Sequence, residues 1–250
     1  MKKWNIYKIF NQENGLFAGT TTKNLKNPYS YSLAIHTGEQ LQKIKLNRDE
    51  FSKKFPKNFK FISFLQIHSS KIIDVSEYEN FEGWLESNIE ADGMVTNKKG
   101  VMLTILTADC LGLLAYDSKN KIIGAAHAGW RGTEQNIAKN LIKKMQKLGA
   151  KTENIKVALS PSIKSCCYEV GEDVAKNFYQ FRDALVKTGE KKWHLDISIV
   201  NKYQLMDLNI KEENIEVSNI CTSCQNSDYF SYRKECGCTG RFISYIGMDF

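Results

Sequence analysis

Histidine is scarce in this chain of 250 residues, limited to His36, His68, His127 and His194, whereas cysteine occurs seven times. Three of these side chains stand at or near the ends of apolar runs. His127 closes IIGAAH and is followed by AGWRGT, Cys110 follows Asp109 in TADC within VMLTILTADCLGLLAYD, and His68 ends FKFISFLQIH. Taken singly, a core imidazole or a buried thiol is ordinary, and an Asp in an apolar run is bonded to a turn or has a task. Taken together, two imidazoles and a thiolate form a borderline-soft donor set that suits zinc, and copper competes for the same donors. Three protein ligands leave one tetrahedral position open for water or substrate, which is the pattern of a catalytic metal.

The turn after His127 has a second property. Arg131 stands between Gly129 and Thr133, and reading Thr133 as an N-cap places the arginine beside the free N–H groups and positive dipole end of a helix, a cradle for an anion. Only five of the 35 basic residues are arginines, which tilts the reading of an arginine slightly toward tasks that need a planar five-donor fork rather than a generic charge. Farther on, Cys221-Thr-Ser-Cys224 and Cys236-Gly-Cys238 imitate a zinc ribbon. The second pair is C-x-C and the interval is short, so these read as reduced structural thiols. No G-x-G-x-x-G follows a strand, and there is no P-loop, G-x-S-x-G or H-E-x-x-H. Cys110 as nucleophile with His127 as base is the metal-free alternative.

These residues need elements to hold them. The runs around Cys110 and before His127 are apolar on both faces, as central strands of a covered sheet are. Ile137, Leu141, Met145 and Leu148 share a helical face before Gly149, which predicts a helix over 134–148. Further helices are expected over 47–55 and 172–185 and after an Asp196 cap, with strands at FKFISFLQIH, near 155–160 and at RFISYIGM. Strands mixed with helices without strict alternation give an α+β class, and no linker or repeat divides residues 1–250, which are read as one domain. Hydrophobic residues at 42% and charged residues at 25% exclude disorder and a coiled coil. The net charge of +7 comes from scattered lysines interleaved with acids, so nucleic acid is not expected as a partner. Asn5 and Asn11 interrupt the first apolar stretch, Asp109 the longest, and the odd cysteine count makes a poor disulfide framework. A cytoplasmic protein without membrane segments is expected.

Longer motifs then carry a resemblance. QIHSSKI, ADGMVTN, LTADCLGLLAYD, AAHAGWRGT, SPSIKSCCYEVGEDV, HLDI and CTSC…FSYR…TGR occur in one register from about residue 65 to the end. On them the chain resembles the YfiH family, also called the laccase-domain or multicopper polyphenol oxidoreductase family. The resemblance implies a single-domain mixed β-sandwich covered by helices in α/β/β/α layers, with zinc on His68, Cys110 and His127. It implies phosphorolysis of adenosine, inosine and methylthioadenosine, with accompanying adenosine deamination. In such an enzyme Arg131, with Gly129 and Thr133, is expected to hold phosphate, and Asp109 or Asp92 to move protons. The N-terminal segment departs from the family. Where Arg-x-Gly-Gly and His-x-Gly-Asp are usual, this chain reads AGTTTKN and SLAIHTGE, keeping His36 and Gly38 and offering Lys23 in place of the arginine's charge, though not its fork. The alternatives are a Cys110/His127 hydrolase of an amide in cell-wall precursor metabolism, and a polyphenol oxidoreductase with copper at the same three ligands. A blue-copper and trinuclear laccase architecture needs many more imidazoles than four.

Overall fold

The two apolar runs around Cys110 become central strands of two different sheets. The computed structural model describes residues 4, 7–11, 13–76, 78 and 83–250. Lys2, Lys3 and Asn5, part of the reading against an export signal, lie outside the described residues. In chain order the elements are β1 (Leu16–Thr20), α1 (Leu41–Ser52), β2 (Lys60–Leu65), β3 (Ile72–Asp74), β4 (Trp84–Glu90), β5 (Gly93–Thr96), β6 (Val101–Thr107), β7 (Leu111–Asp117) and β8 (Ile122–Ala128). They continue with α2 (Trp130–Glu134), α3 (Ile137–Lys147), β9 (Ile155–Leu159), β10 (Glu169–Gly171), α4 (Glu172–Ala175), β11 (Leu185–Gly189), β12 (Lys192–Leu195), α5 (Ile197–Met206), β13 (Ile215–Val217) and β14 (Phe242–Met248).

One sheet has the order β1-β14-β6-β2-β4 and the other β13-β9-β7-β8-β5-β3, while β10-β12-β11 form a small third sheet. Both large sheets are mixed: β2 runs parallel to β6 and β4 while β14 is antiparallel to β6, and β7 is antiparallel to β8 and β9 while β13 is parallel to β9. Every residue of β6, β7, β8 and β14 is buried. Alternation along β7 divides the core: Leu114 and Tyr116 face Leu103, Ile105 and Ile246 of the first sheet, while Leu113 and Ala115 face Ile137, Leu141 and Met145 of α3 and Val200 of α5. On the outer face of the first sheet, Phe51 of α1 packs with Phe61, Met102 and Tyr245. The result is the α/β/β/α layering of an α+β fold. Among the described residues no helix is long and apolar enough to cross a membrane.

Several boundaries differ from expectation for identifiable reasons. Helix α1 begins at Leu41, six residues before the expected 47. Its buried side presents Asn47, which bonds the carbonyls of Pro28 and Ser32, and Arg48, which bonds that of Leu33, so no apolar period marked it. The helix expected over 134–148 is interrupted. Thr133 is not its N-cap but lies inside the five-residue α2, capped by Gly129, and α3 starts after Asn136 in the left-handed region (φ 60°). Thr133 O, the carbonyl that a continuous helix would present to the N–H of Ile137, accepts from Gln204 Nε2 at 2.8 Å. At its other end α3 closes as anticipated, with Gly149 at φ 103°, its N–H on Gln146 O and that of Ala150 on Met145 O. The helix expected over 172–185 is confined to Glu172–Ala175 with short 3-10 turns after it, and Leu185 already pairs with Leu195 in the small sheet. Asp196 does cap α5, accepting from the Ser198 N–H at 2.9 Å.

A candidate metal centre in an arginine-lined cavity

Between β6 and β7 the chain leaves one large sheet for the other, and the three-residue crossing contains Asp109 in the left-handed region (φ 86°) and Cys110. His127 is the penultimate residue of β8 and pairs with Gly112 of β7, which brings it beside Cys110. His68 lies not in a strand but in the turn three residues beyond β2, also with positive φ (62°). One donor atom from each of His68, Cys110 and His127 lies within 4.8 Å of the others.

Asp92, just before β5, holds this arrangement. Its carboxylate accepts from the N–H groups of Ile67 (3.2 Å), His68 (3.0 Å) and Ser69 (2.6 Å) and from the Ser69 hydroxyl, which fixes the turn that presents His68. It also meets His127 Nδ1 at 2.8 Å, leaving Nε2 as the ring nitrogen available to a metal. Asp92 is fully buried and accepts from five donors, the setting of a group that positions its neighbours. Asp109 lines the cavity, and its Oδ1 accepts from the Thr222 hydroxyl at 2.6 Å and its Oδ2 from the Arg233 N–H at 2.7 Å, tying the crossing to the C-terminal segment.

The donors fit zinc. Cys110 Sγ and His68 Nε2 are 3.8 Å apart, close to the roughly 3.6 Å that Zn–S and Zn–N bonds at a tetrahedral angle require. The imidazole planes cross at 75° with centroids 4.7 Å apart. Burial pushes the Cys110 thiol up, but the charge of His127 and hydrogen bonds from His127 and His68 outweigh it and bring the thiol down to about 6. Burial pushes His127 down, and the Cys110 thiolate and Asp92 carry it up to about 9. Burial also opposes ionisation of Asp92, yet its bonds to His127 and Ser69 hold it below the ordinary carboxylate value. Gly129 is required by proximity: a Cβ there would lie 2.7 Å from His68 Cδ2 and 3.3 Å from Cys110 Sγ.

A cavity of about 500 Å³ opens over these donors. Arg131, Arg233 and Arg241 line it, and among the described residues Asp109 is the one acidic lining residue, tied to Thr222 and the Arg233 N–H. Arg131 is exposed and stacks on Trp130 at 4.5 Å, while Gly129 is part of the wall. Thr133, expected to share the anion site, is instead buried in the core, where its hydroxyl oxygen accepts from Asn201 Nδ2. Lys23 does not replace the family's arginine, because its ammonium is bound by Glu235 and the Asn226 carbonyl away from the cavity. Arg241, anchored on the Thr239 and Gly240 carbonyls, and Arg233, anchored on that of Glu169, supply the charge instead. Sequence reasoning missed both; the glycine beside Arg241 and the rarity of arginine were the available signals. His36 also lines the cavity, its pKa lowered by burial and by Arg241 and Arg48, so it is neutral near pH 7. Of the ribbon-like cysteines, Cys236 and Cys238 do not join Cys221 and Cys224; Cys166 and Cys167 do.

Comparison with known proteins agrees with the fold. Residues 17–249 match the family described as multi-copper polyphenol oxidoreductase laccase. The chain is 32% identical over 252 residues to purine nucleoside phosphorylase YlmD of Bacillus subtilis, covering 95% of this chain and 91% of that protein. It is 32% identical over 180 residues, 68% of each chain, to adenosine deaminase RL5 from an unknown prokaryotic organism. Among solved structures, the hypothetical protein YfiH of Bacillus licheniformis superposes with a TM-score of 0.87 at 29% identity, covering 96% of this chain and 94% of that one. YlmD from Geobacillus stearothermophilus gives 0.85 at 28% identity, with 98% and 94% covered.

Proposed function

Because this chain belongs to the multi-copper polyphenol oxidoreductase laccase family, we propose that it is a zinc-dependent purine nucleoside phosphorylase acting on adenosine, inosine and methylthioadenosine, with accompanying adenosine deaminase activity. The observation that carries this reading is the joining, in one cavity, of an N/S donor trio with three guanidinium groups. When bound by His68, Cys110 and His127, zinc supplies a Lewis acid and lowers the pKa of water toward neutrality. The remaining work belongs to the chain. Asp92 fixes the turn bearing His68 and the tautomer of His127. Arg131 offers a bidentate fork to phosphate, with Arg233 and Arg241 adding positive potential. Ile163, Ile197 and Tyr168 give the purine an apolar wall, and neutral His36 can exchange hydrogen bonds with the nucleoside. The chain is read as working in a reducing cytoplasm, where its seven cysteines would stay unpaired.

An assay of free purine base with and without phosphate tests the reading. Arg131→Lys keeps the charge but loses the fork. It is expected to raise the phosphate requirement by roughly tenfold, about 1.4 kcal/mol, while deamination and metal content change little. Base release independent of phosphate would overturn the phosphorylase reading. Parallel loss of both activities with a lowered Tm would make Arg131 structural.

A second reading rests on one observation, the thiol brought down to about 6 beside an imidazole oriented by Asp92, which has the form of a Cys-His-Asp hydrolase for an amide of cell-wall precursors. Metal content separates the two: a hydrolase keeps its activity after stoichiometric chelation and loses it on alkylation of Cys110. Copper at the same ligands would make the site laccase-like, and elemental analysis together with a phenol oxidation assay distinguishes it from zinc.

A further inference from the structure

Cys166, Cys167, Cys221 and Cys224 come from two loops more than fifty residues apart, yet their Sγ atoms all lie within 4.8 Å of one another. Cys224 Sγ stands 3.4 Å from Cys167 Sγ and 3.6 Å from Cys166 Sγ, and none of the four is in a disulfide. A tetrahedral zinc with Zn–S bonds near 2.3 Å sets its sulfurs about 3.8 Å apart, so the thiols already stand at the spacing such an ion imposes. We propose that Cys166, Cys167, Cys221 and Cys224 hold a second zinc ion in a closed tetrathiolate site, separate from His68, Cys110 and His127.

The surroundings suit that occupant. Cys221 and Cys224 form a C-x-x-C turn, and the N–H groups of Lys164 and Cys224 point at Cys221 Sγ, donors that stabilise a metal-bound thiolate. Lys164, largely buried, bonds Ser198 and lies 4.0 Å from Asp196 at the start of α5, and its charge also acts on a centre that would carry two net negative charges once four thiols have released their protons. Four protein donors leave no position for substrate, so the ion would be structural. It would act as a clip. The two loops already touch through a bridge between Ser162 and Cys221 and a bond from the Thr222 N–H to Ser162 O at 3.1 Å. One loop carries Ile163 and Tyr168 of the cavity wall, and the other carries Thr222, which holds Asp109. The clip would therefore lock one wall of the cavity to the crossing that bears Cys110.

Elemental analysis of the full chain, purified without a metal-binding tag, is expected to find two zinc ions per chain, falling to one in Cys224→Ser. X-ray absorption at the zinc edge of Cys110→Ala is expected to contain a centre with four sulfur neighbours and no imidazole. Should Cys224→Ser fail to fold, the absorption spectrum of Cys110→Ala and the thiolate charge-transfer bands of the cobalt-exchanged protein decide the matter alone. A single zinc unaffected by Cys224→Ser, the absence of any all-sulfur centre in Cys110→Ala, or a disulfide among the four in native protein would each overturn the proposal. The sulfur shell is read without substrate, so failure of the nucleoside reading leaves this test intact.

Discussion

Asp92 shows how much of the site depends on one carboxylate that touches neither substrate nor metal. It serves the turn carrying His68 and the ring of His127 at once, so Asp92→Asn places an amide N–H against donors that need an acceptor. Zinc affinity, measured by competition with a chromophoric chelator, is expected to fall about 10–100-fold, the usual cost of disturbing the partners of metal ligands. Cys110 gives a pH signature. In metal-free protein its alkylation should rise through a midpoint near 6 rather than 9.0, because the thiol is protonated below that pH and His127 stabilises the thiolate above it. In His127→Ala, burial acts with less opposition and the midpoint should move upward; an unchanged midpoint would remove His127 as the cause. His68, Cys110 and His127 were legible as candidates because scarce residue types stood at the ends of apolar runs. The work of Asp92 and Asp109 was not, since their partners lie up to 35 and 124 residues away and only the fold brings them within reach.

At the level of elements, the turn between β8 and α3 does most to shape the cavity. Gly129 caps α2 with a backbone any residue can adopt (φ −78°), so the need for glycine comes from the closeness of His68 and Cys110. Gly129→Ala is expected to reduce zinc occupancy severalfold, with an unchanged far-ultraviolet circular dichroism spectrum. Full occupancy in that variant would show that the ligands yield without cost. The periodicity of Ile137, Leu141 and Met145 correctly marked the buried face of α3, and Gly149 its end. The break at Asn136 was invisible because one partner of the Thr133 carbonyl, Gln204, belongs to a helix about seventy residues later. Helix α1 was half missed for the opposite reason, a buried face in which polar Asn47 and Arg48 stand between Ile44 and Phe51 and blur the apolar period. Arg233 and Arg241 likewise reach the cavity through β14 and the segment before it, a placement set by pairing between the chain's end and β6.

For the whole molecule, the runs apolar on both faces were enough to read covered central strands, but not that the break at Asp109 and Cys110 passes from one sheet to the other. That passage means that a metal held by His68, Cys110 and His127 would tie the two halves of the sandwich together. Zinc at a hundred times its dissociation constant should add about 2.7 kcal/mol to stability, and chelation should lower Tm by roughly 5–10 °C, measured by calorimetry with and without a zinc-selective chelator. No change in Tm would mean that the ion is not bound in the folded state. His68 follows a strand of one sheet, His127 belongs to the other, and Cys110 lies on the crossing, so the three donors meet only once the sheets have closed. An ion that must wait for closure cannot nucleate folding. It leaves the rate of the climb to the transition state alone and deepens only the native basin, so zinc should prolong the lifetime of the folded chain without hastening its birth.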